Sequence, residues 1–96
     1  MLVLITYDVN TSDREGRRRL SRVAKICTNY GQRVQNSVFE CMLSAAQLCS
    51  VTDRLRKEMD EEKDSIRIYH LGNSYEKKIE HYGAKSAYNP NDPMIF

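Results

Sequence analysis

An α+β domain, an antiparallel sheet carrying two helices on one face, is the fold class that the order of runs in this sequence predicts. Three observations carry the prediction. Leu2 to Tyr7 is almost continuously apolar and rich in branched residues, which suits a central strand. Two later stretches repeat apolar residues at helical spacing, and each is followed by short extended runs. Gly, Asn, Ser and Asp punctuate the boundaries between them. The resulting order, β-α-β-β-α-β with an additional C-terminal strand, matches the ferredoxin-like split βαβ arrangement. That fold hosts many unrelated activities, so function has to be read from particular residues.

Asp8 ends the first strand, and Asn10-Thr11-Ser12-Asp13 supplies turn and N-cap chemistry for a helix that continues to about Tyr30. Gly16, Leu20, Val23, Ala24 and Cys27 fall on one stripe of that helix, as a core-facing surface requires. Gly31 is placed to stop it as a left-handed residue. Two extended runs, Arg33-Val34-Gln35 and Val38 to Met42, flank Asn36-Ser37 and read as a tight hairpin or as one bent strand. Ser44 and Gln47 form a capping box for a second helix with the stripe Leu48, Val51, Leu55 and Met59. Asp60-Glu61-Glu62-Lys63-Asp64 is a charged exit loop. Ser65 to Leu71 alternates as a strand should, and Gly72-Asn73 turns the chain. Lys77 to Tyr82 is expected to add a short edge strand. The apolar ending Met94-Ile95-Phe96 is expected to dock on the core or at a dimer interface.

Ninety-six residues make one domain with a modest core, so pairing with a second copy is an economical source of stability. A 41% apolar and 29% charged composition is that of an ordinary globular chain. No apolar run approaches the ~20 residues of a membrane span, and the first residues lack the basic region of a signal peptide, so a cytoplasmic protein is expected. Cys27, Cys41 and Cys49 show no CxxC or zinc spacing and read as buried free thiols of a reducing compartment. His70 and His81 have no ligand spacing either, and no Gly-rich phosphate loop, HExxH or nucleophile elbow occurs.

The chemistry concentrates at the first strand–helix junction. A carboxylate at the end of a buried strand needs water, a cap or a cation. Thr11, Ser12 and Asp13 stand closer to the helix start than Asp8 and cap it better, which leaves Asp8 as a candidate ligand for a hard cation, Mg2+ or Mn2+. One aspartate is a poor metal site. A homodimer solves the shortage, because two-fold symmetry can bring Asp8 of both copies to one axis, where a shared metal activates water toward a phosphodiester. The helix that follows carries Arg14, Arg18, Arg22 and Lys25 within one arc, flanked by Arg17 and Arg19, against only Asp13 and Glu15. Cations crowded toward a helix N-terminus oppose the macrodipole, so the placement points to phosphate contact. Arg33 and Arg67 can extend that surface from strands. Tyr7 and Phe39 suit the core or an interface better than base stacking.

The strand Leu2-Val3-Leu4-Ile5-Thr6-Tyr7-Asp8-Val9 before an Arg-rich helix, with Arg33-Val34-Gln35-Asn36-Ser37-Val38-Phe39-Glu40 beyond it, resembles the small CRISPR-associated endonuclease family. Members are the partners of the CRISPR integrase in spacer acquisition. The similarity covers nearly the whole chain, and the ending from Asn89 to Phe96 looks like the branch found with type I-C systems. The resemblance implies a ferredoxin-like homodimer with Asp8 as the metal-binding carboxylate. It implies Arg17 or Arg18 as the helix arginine near the site, and Arg33 and Phe39 as the basic and aromatic positions on the second and third strands. It also implies metal-dependent phosphodiesterase activity on single-stranded RNA or double-stranded DNA, and a structural role bridging integrase dimers on DNA. Two other readings stand beside it. One is a purely binding module with a vestigial site; the other is a toxin-like ribonuclease.

Overall fold

The computed structural model describes residues 1–74 and 78–83. Its elements are β1 (Leu2–Asp8), α1 (Arg14–Tyr30), β2 (Gln32–Gln35), β3 (Val38–Met42), α2 (Ala45–Glu58) and β4 (Ser65–Gly72). The strands form one antiparallel sheet in the order β2-β3-β1-β4. This is the expected ferredoxin-like topology. β1 lies inside the sheet, paired with β3 and β4, which is why its sequence is apolar almost throughout.

Strand alternation divides the sheet into two faces. Val3, Ile5 and Tyr7 of β1, Phe39 and Cys41 of β3, and the partly buried Ile66 and Ile68 of β4 form one of them. They pack with Val23, Ile26 and Cys27 of α1 and with Val51 and Leu55 of α2. The opposite face carries Leu4, Thr6, Val38, Glu40, Met42, Arg67 and Tyr69, by the same alternation and the ladder pairings.

Local signals explain most boundaries. The Asp13 carboxylate accepts from the Gly16 N–H at 2.7 Å and caps α1. Ser44 and Gln47 form the reciprocal capping box on α2. Asn36 and Ser37 make a two-residue turn, so Gln32 to Met42 is a hairpin, with a register irregularity between Arg33 and Gln35. Gly31 ends α1 for a different reason from the expected one. Its backbone is extended (φ −161°, ψ −165°), not left-handed. What requires glycine is close approach, since a Cβ there would overlap the Cys41 Sγ and the Glu40 carbonyl oxygen. Gly31→Ala is therefore expected to destabilise the domain by about 1–3 kcal/mol, the cost of overpacking, as read from the urea midpoint at constant m.

The core stripe of α1 also gains two members. Gly16, Val23 and Cys27 are buried as expected, Leu20 and Ala24 are partly buried, and Arg19 and Ile26 join the buried set. Arg19 is thus no flank of an exposed basic arc. Cys27 and Cys41 are buried free thiols, and burial pushes them up to about 12 and about 11 respectively, whereas Cys49 is exposed on α2. The expected extra strand falls partly on Lys77, outside the described residues, and residues 78–83 form no strand. The tail with Met94, Ile95 and Phe96 also lies outside them. Among the described residues no helix is long and apolar enough to cross a membrane.

Candidate functional site

β1 delivers Asp8 to the end of the sheet. Alternation sets Leu4, Thr6 and Asp8 on the face opposite the helices, where Leu4 and Thr6 are half-buried and Asp8 is exposed. Asp8 pairs in register with Ser65 of β4. Asp13 takes the capping duty, so the cap reading of Asp8 falls away. Among the described residues no hydrogen bond or ion pair engages the Asp8 carboxylate, which leaves all its lone pairs to outside ligands.

The backbone behind Asp8 is held by a residue that sequence reasoning placed only in a charged loop. Asp64, just before β4, has a fully buried carboxylate. Its Oδ1 accepts from the Asn10 N–H at 3.0 Å and its Oδ2 from the Asp60 N–H at 2.9 Å. Arg19 completes the set, Nε donating to Oδ2 at 2.8 Å and Nη2 to Oδ1 at 3.4 Å. Burial pushes the Asp64 carboxyl up, but these donors more than offset it and hold it below the usual carboxylate range. The network ties the loop leaving Asp8 to the loop entering β4. One signal pointed to it. Arg19 stands three residues after Gly16 and four before Val23, on the core stripe, where a charge demands a partner.

The arginines separate into groups. Arg14, Arg17 and Arg18 are exposed in the first turns of α1, at the Asp8 end of the sheet, with no carboxylate in ion-pair range among the described residues. Arg22 is engaged instead, with Glu58 at 2.7 Å and Glu15 at 3.2 Å. Arg33 lies over the Phe39 ring, 5.1 Å from its centroid. It stands two strands from β1 and on the helix side, so the chain does not bring Arg33 to Asp8. Tyr7 and Phe39 stack on each other with centroids 6.1 Å apart. They are 6% and 0% exposed, which assigns them to the core and removes base stacking. Tyr7 Oη donates to the Asn36 carbonyl at 3.4 Å, pinning the hairpin turn beside β1.

On the helix-free face, Arg67 Nη1 donates to Tyr69 Oη at 3.2 Å, and Tyr69 is 43% exposed. Glu40 is half-buried there; burial raises its carboxyl and His81 partly counters that. A metal meets an incomplete site in one chain. Among the described residues no three His, Cys, Asp or Glu side chains cluster to hold an ion. Asp64 and Asp13 are committed to their own partners. The residues fit a hard cation only if a second copy supplies another Asp8.

The comparisons with known proteins agree with this layout. The family model described as CRISPR associated protein Cas2 matches residues 1–79. The chain is 60% identical to the CRISPR-associated endonuclease Cas2 of Halalkalibacterium halodurans over the full length of both. It is 56% identical to the CRISPR-associated endoribonuclease Cas2 of Nitratidesulfovibrio vulgaris, over 99% of this chain and 93% of that one. The crystal structure of Streptococcus pyogenes Cas2 at pH 6.5 superposes with a TM-score of 0.76 at 52% identity, covering 86% of this chain and all of that one. With the predicted topology, the Asp8 terminus of β1 and a family match over most of its length, the chain belongs to the Cas2 family of CRISPR-associated proteins.

Proposed function

We propose that this chain is a CRISPR adaptation protein, a homodimeric nucleic-acid-binding scaffold that also hydrolyses phosphodiester bonds at Asp8 with Mg2+ or Mn2+. The observation that carries it is an exposed Asp8 carboxylate at the end of a central strand, unengaged among the described residues, with the exposed Arg14, Arg17 and Arg18 in the first turns of the helix that follows, in a chain of this family. The matched relatives are named an endonuclease and an endoribonuclease, which supports nuclease activity; double-stranded DNA and single-stranded RNA are both carried as substrates from the family resemblance.

Dimerisation is supported by the helix-free face of the sheet. Leu4, Val38 and Met42 are half-buried there although neither helix packs on them. Covering them with a second copy removes apolar surface from water and sets two Asp8 residues at one interface. When bound there, the cation supplies an activated water and offsets charge on the phosphodiester. Asp8 holds it, and Arg14, Arg17 and Arg18 hold the nucleic-acid backbone. The surface that the dimer leaves exposed is offered to the CRISPR integrase as the partner in spacer acquisition.

Purified protein should cleave labelled single-stranded RNA or duplex DNA with Mg2+ or Mn2+ present, and EDTA should reduce the rate to background. Absence of turnover on both substrates with either ion would leave the second reading, a scaffold that binds without cutting. Among the described residues of one chain no complete ligand cluster occurs, and that observation favours the scaffold reading.

A further inference from the structure

The helical layer carries a second cationic feature. An open groove of about 460 Å³ runs between the C-terminal halves of α1 and α2. Lys25 and Asn29 line it from α1, and Arg54 and Lys57 line it from α2; all four side chains are exposed. Its one carboxylate, Glu58, is already held by Arg22. Lys57 shares Asp53 at 3.6 Å, an exposed pair that an outside anion can displace. Lys25 has no carboxylate partner among the described residues. The Arg54 guanidinium lies 5.9 Å from the Tyr30 centroid and donates to its hydroxyl at 3.3 Å, contacts that orient the cation without neutralising it.

The groove continues the arginine arc. Arg14, Arg18, Arg22 and Lys25 follow at intervals of four, four and three residues. Four residues of helix rise about 6 Å, so a nucleic-acid backbone lying along α1 passes a basic side chain at every turn of the helix. An acidic amphipathic peptide is the competing occupant, but it needs an apolar seat. The apolar lining residue Ile26 is only 6% exposed, so the apolar surface of the groove is that of the stems of its long cationic side chains, whose heads stand at its rim, and no pocket for an apolar anchor opens there.

We propose that the α1/α2 groove is a second site for a nucleic-acid backbone, in which Lys25, Arg54 and Lys57 hold the phosphates of a strand arriving past Arg14 and Arg18. It rests on the reading of this chain as a nucleic-acid-binding protein and extends the bound strand from the Asp8 end of the sheet onto the helical layer. Asn29 adds a neutral donor at the same groove.

The test is fluorescence anisotropy with a labelled duplex of about 30 base pairs between about 50 and 200 mM salt, the range over which phosphate contacts dominate affinity. Wild type is compared with Lys25→Gln/Arg54→Gln and with Arg14→Gln/Arg18→Gln. Each lost phosphate contact lowers the slope of log K against log salt by about 1, so the groove variant should lose about 2 from the slope and about tenfold or more in affinity, with an unchanged melting temperature. In the wild-type protein, the amides of Lys25, Asn29 and Arg54 should shift on addition of the duplex, a readout that needs no variant to fold. A wild-type slope in the groove variant, beside a lowered slope in the Arg14/Arg18 variant, removes the groove site and leaves the proposed function standing. No duplex binding by the wild-type protein removes both. Groove amides that respond to poly-L-glutamate and ignore the duplex overturn the proposal in favour of an acidic protein segment.

Discussion

Asp8→Asn is expected to lower metal-dependent phosphodiester hydrolysis by at least about a hundredfold, a loss of about 2.7 kcal/mol of transition-state stabilisation. The amide keeps the size of the side chain and removes the charge that a hard cation requires. No structural penalty should accompany the loss, because the carboxylate is exposed and no hydrogen bond or ion pair engages it among the described residues. Melting temperature, dimer mass and duplex affinity should therefore match wild type, while the initial rate on labelled RNA and DNA falls. Cleavage at the wild-type rate by a rigorously purified Asp8→Asn protein would remove the catalytic role and leave the scaffold.

Asp64→Ala is expected to be the most destabilising single change near the site, at about 3–5 kcal/mol, because it strands a buried guanidinium and two backbone donors at once. Equilibrium urea unfolding measures it. Replacing both partners, as in Arg19→Met/Asp64→Leu, should recover much of the loss, since a packed apolar pair leaves neither charge stranded. The Asn10 and Asp60 N–H groups still lose their acceptor in the double variant, so recovery should stop short of wild type.

The pH dependence has a definite sign. The Asp64 carboxyl titrates lower folded than unfolded, so its contribution is complete above the unfolded value of about 3.9 and is lost as pH falls through the lower folded value. Wild type should consequently lose more stability than Arg19→Met/Asp64→Leu between about pH 4 and the acid limit. Equal acid slopes in the two proteins would show that other carboxylates govern acid unfolding.

What could be read in advance was what local chemistry controls. The capping box at Ser44 and Gln47, the Asn36-Ser37 turn and the apolar run of β1 each act over a few residues, and each formed as expected. The exposure of Asp8 followed from its place at a strand end, with better caps nearby. The misreadings are long-range. Arg19 and Asp64 are separated by 45 residues, and nothing in the run Asp60-Glu61-Glu62-Lys63-Asp64 marks its last member as the buried one. Arg22 looked available because Glu58, its partner on α2, lies 36 residues away. Gly31 was correctly read as a stop, but its reason, contact with β3, is set only by tertiary packing. Arg33 was read as a strand residue that could extend the basic surface, and its place two strands from β1 is set by the sheet order, which no local signal carries.

The inner position of β1 has a consequence for motion. Edge strands exchange their amide hydrogens first, and local opening runs in cooperative units from the periphery inward. Among the described residues β2 is one edge of this sheet and β4 the other, while β1 is bonded along both sides. Fraying of β2 leaves both β1 ladders intact, and fraying of β4 leaves β1 pinned to β3 and, through the Tyr7 N–H, to the Ser37 carbonyl at 3.1 Å. The amides of Val3 to Tyr7 should accordingly be among the slowest to exchange, opening only with global unfolding. Asp8 lies just beyond this doubly bonded stretch, paired only with Ser65 of β4, so it is an exposed group carried at the end of the least mobile strand and loosens first when β4 frays.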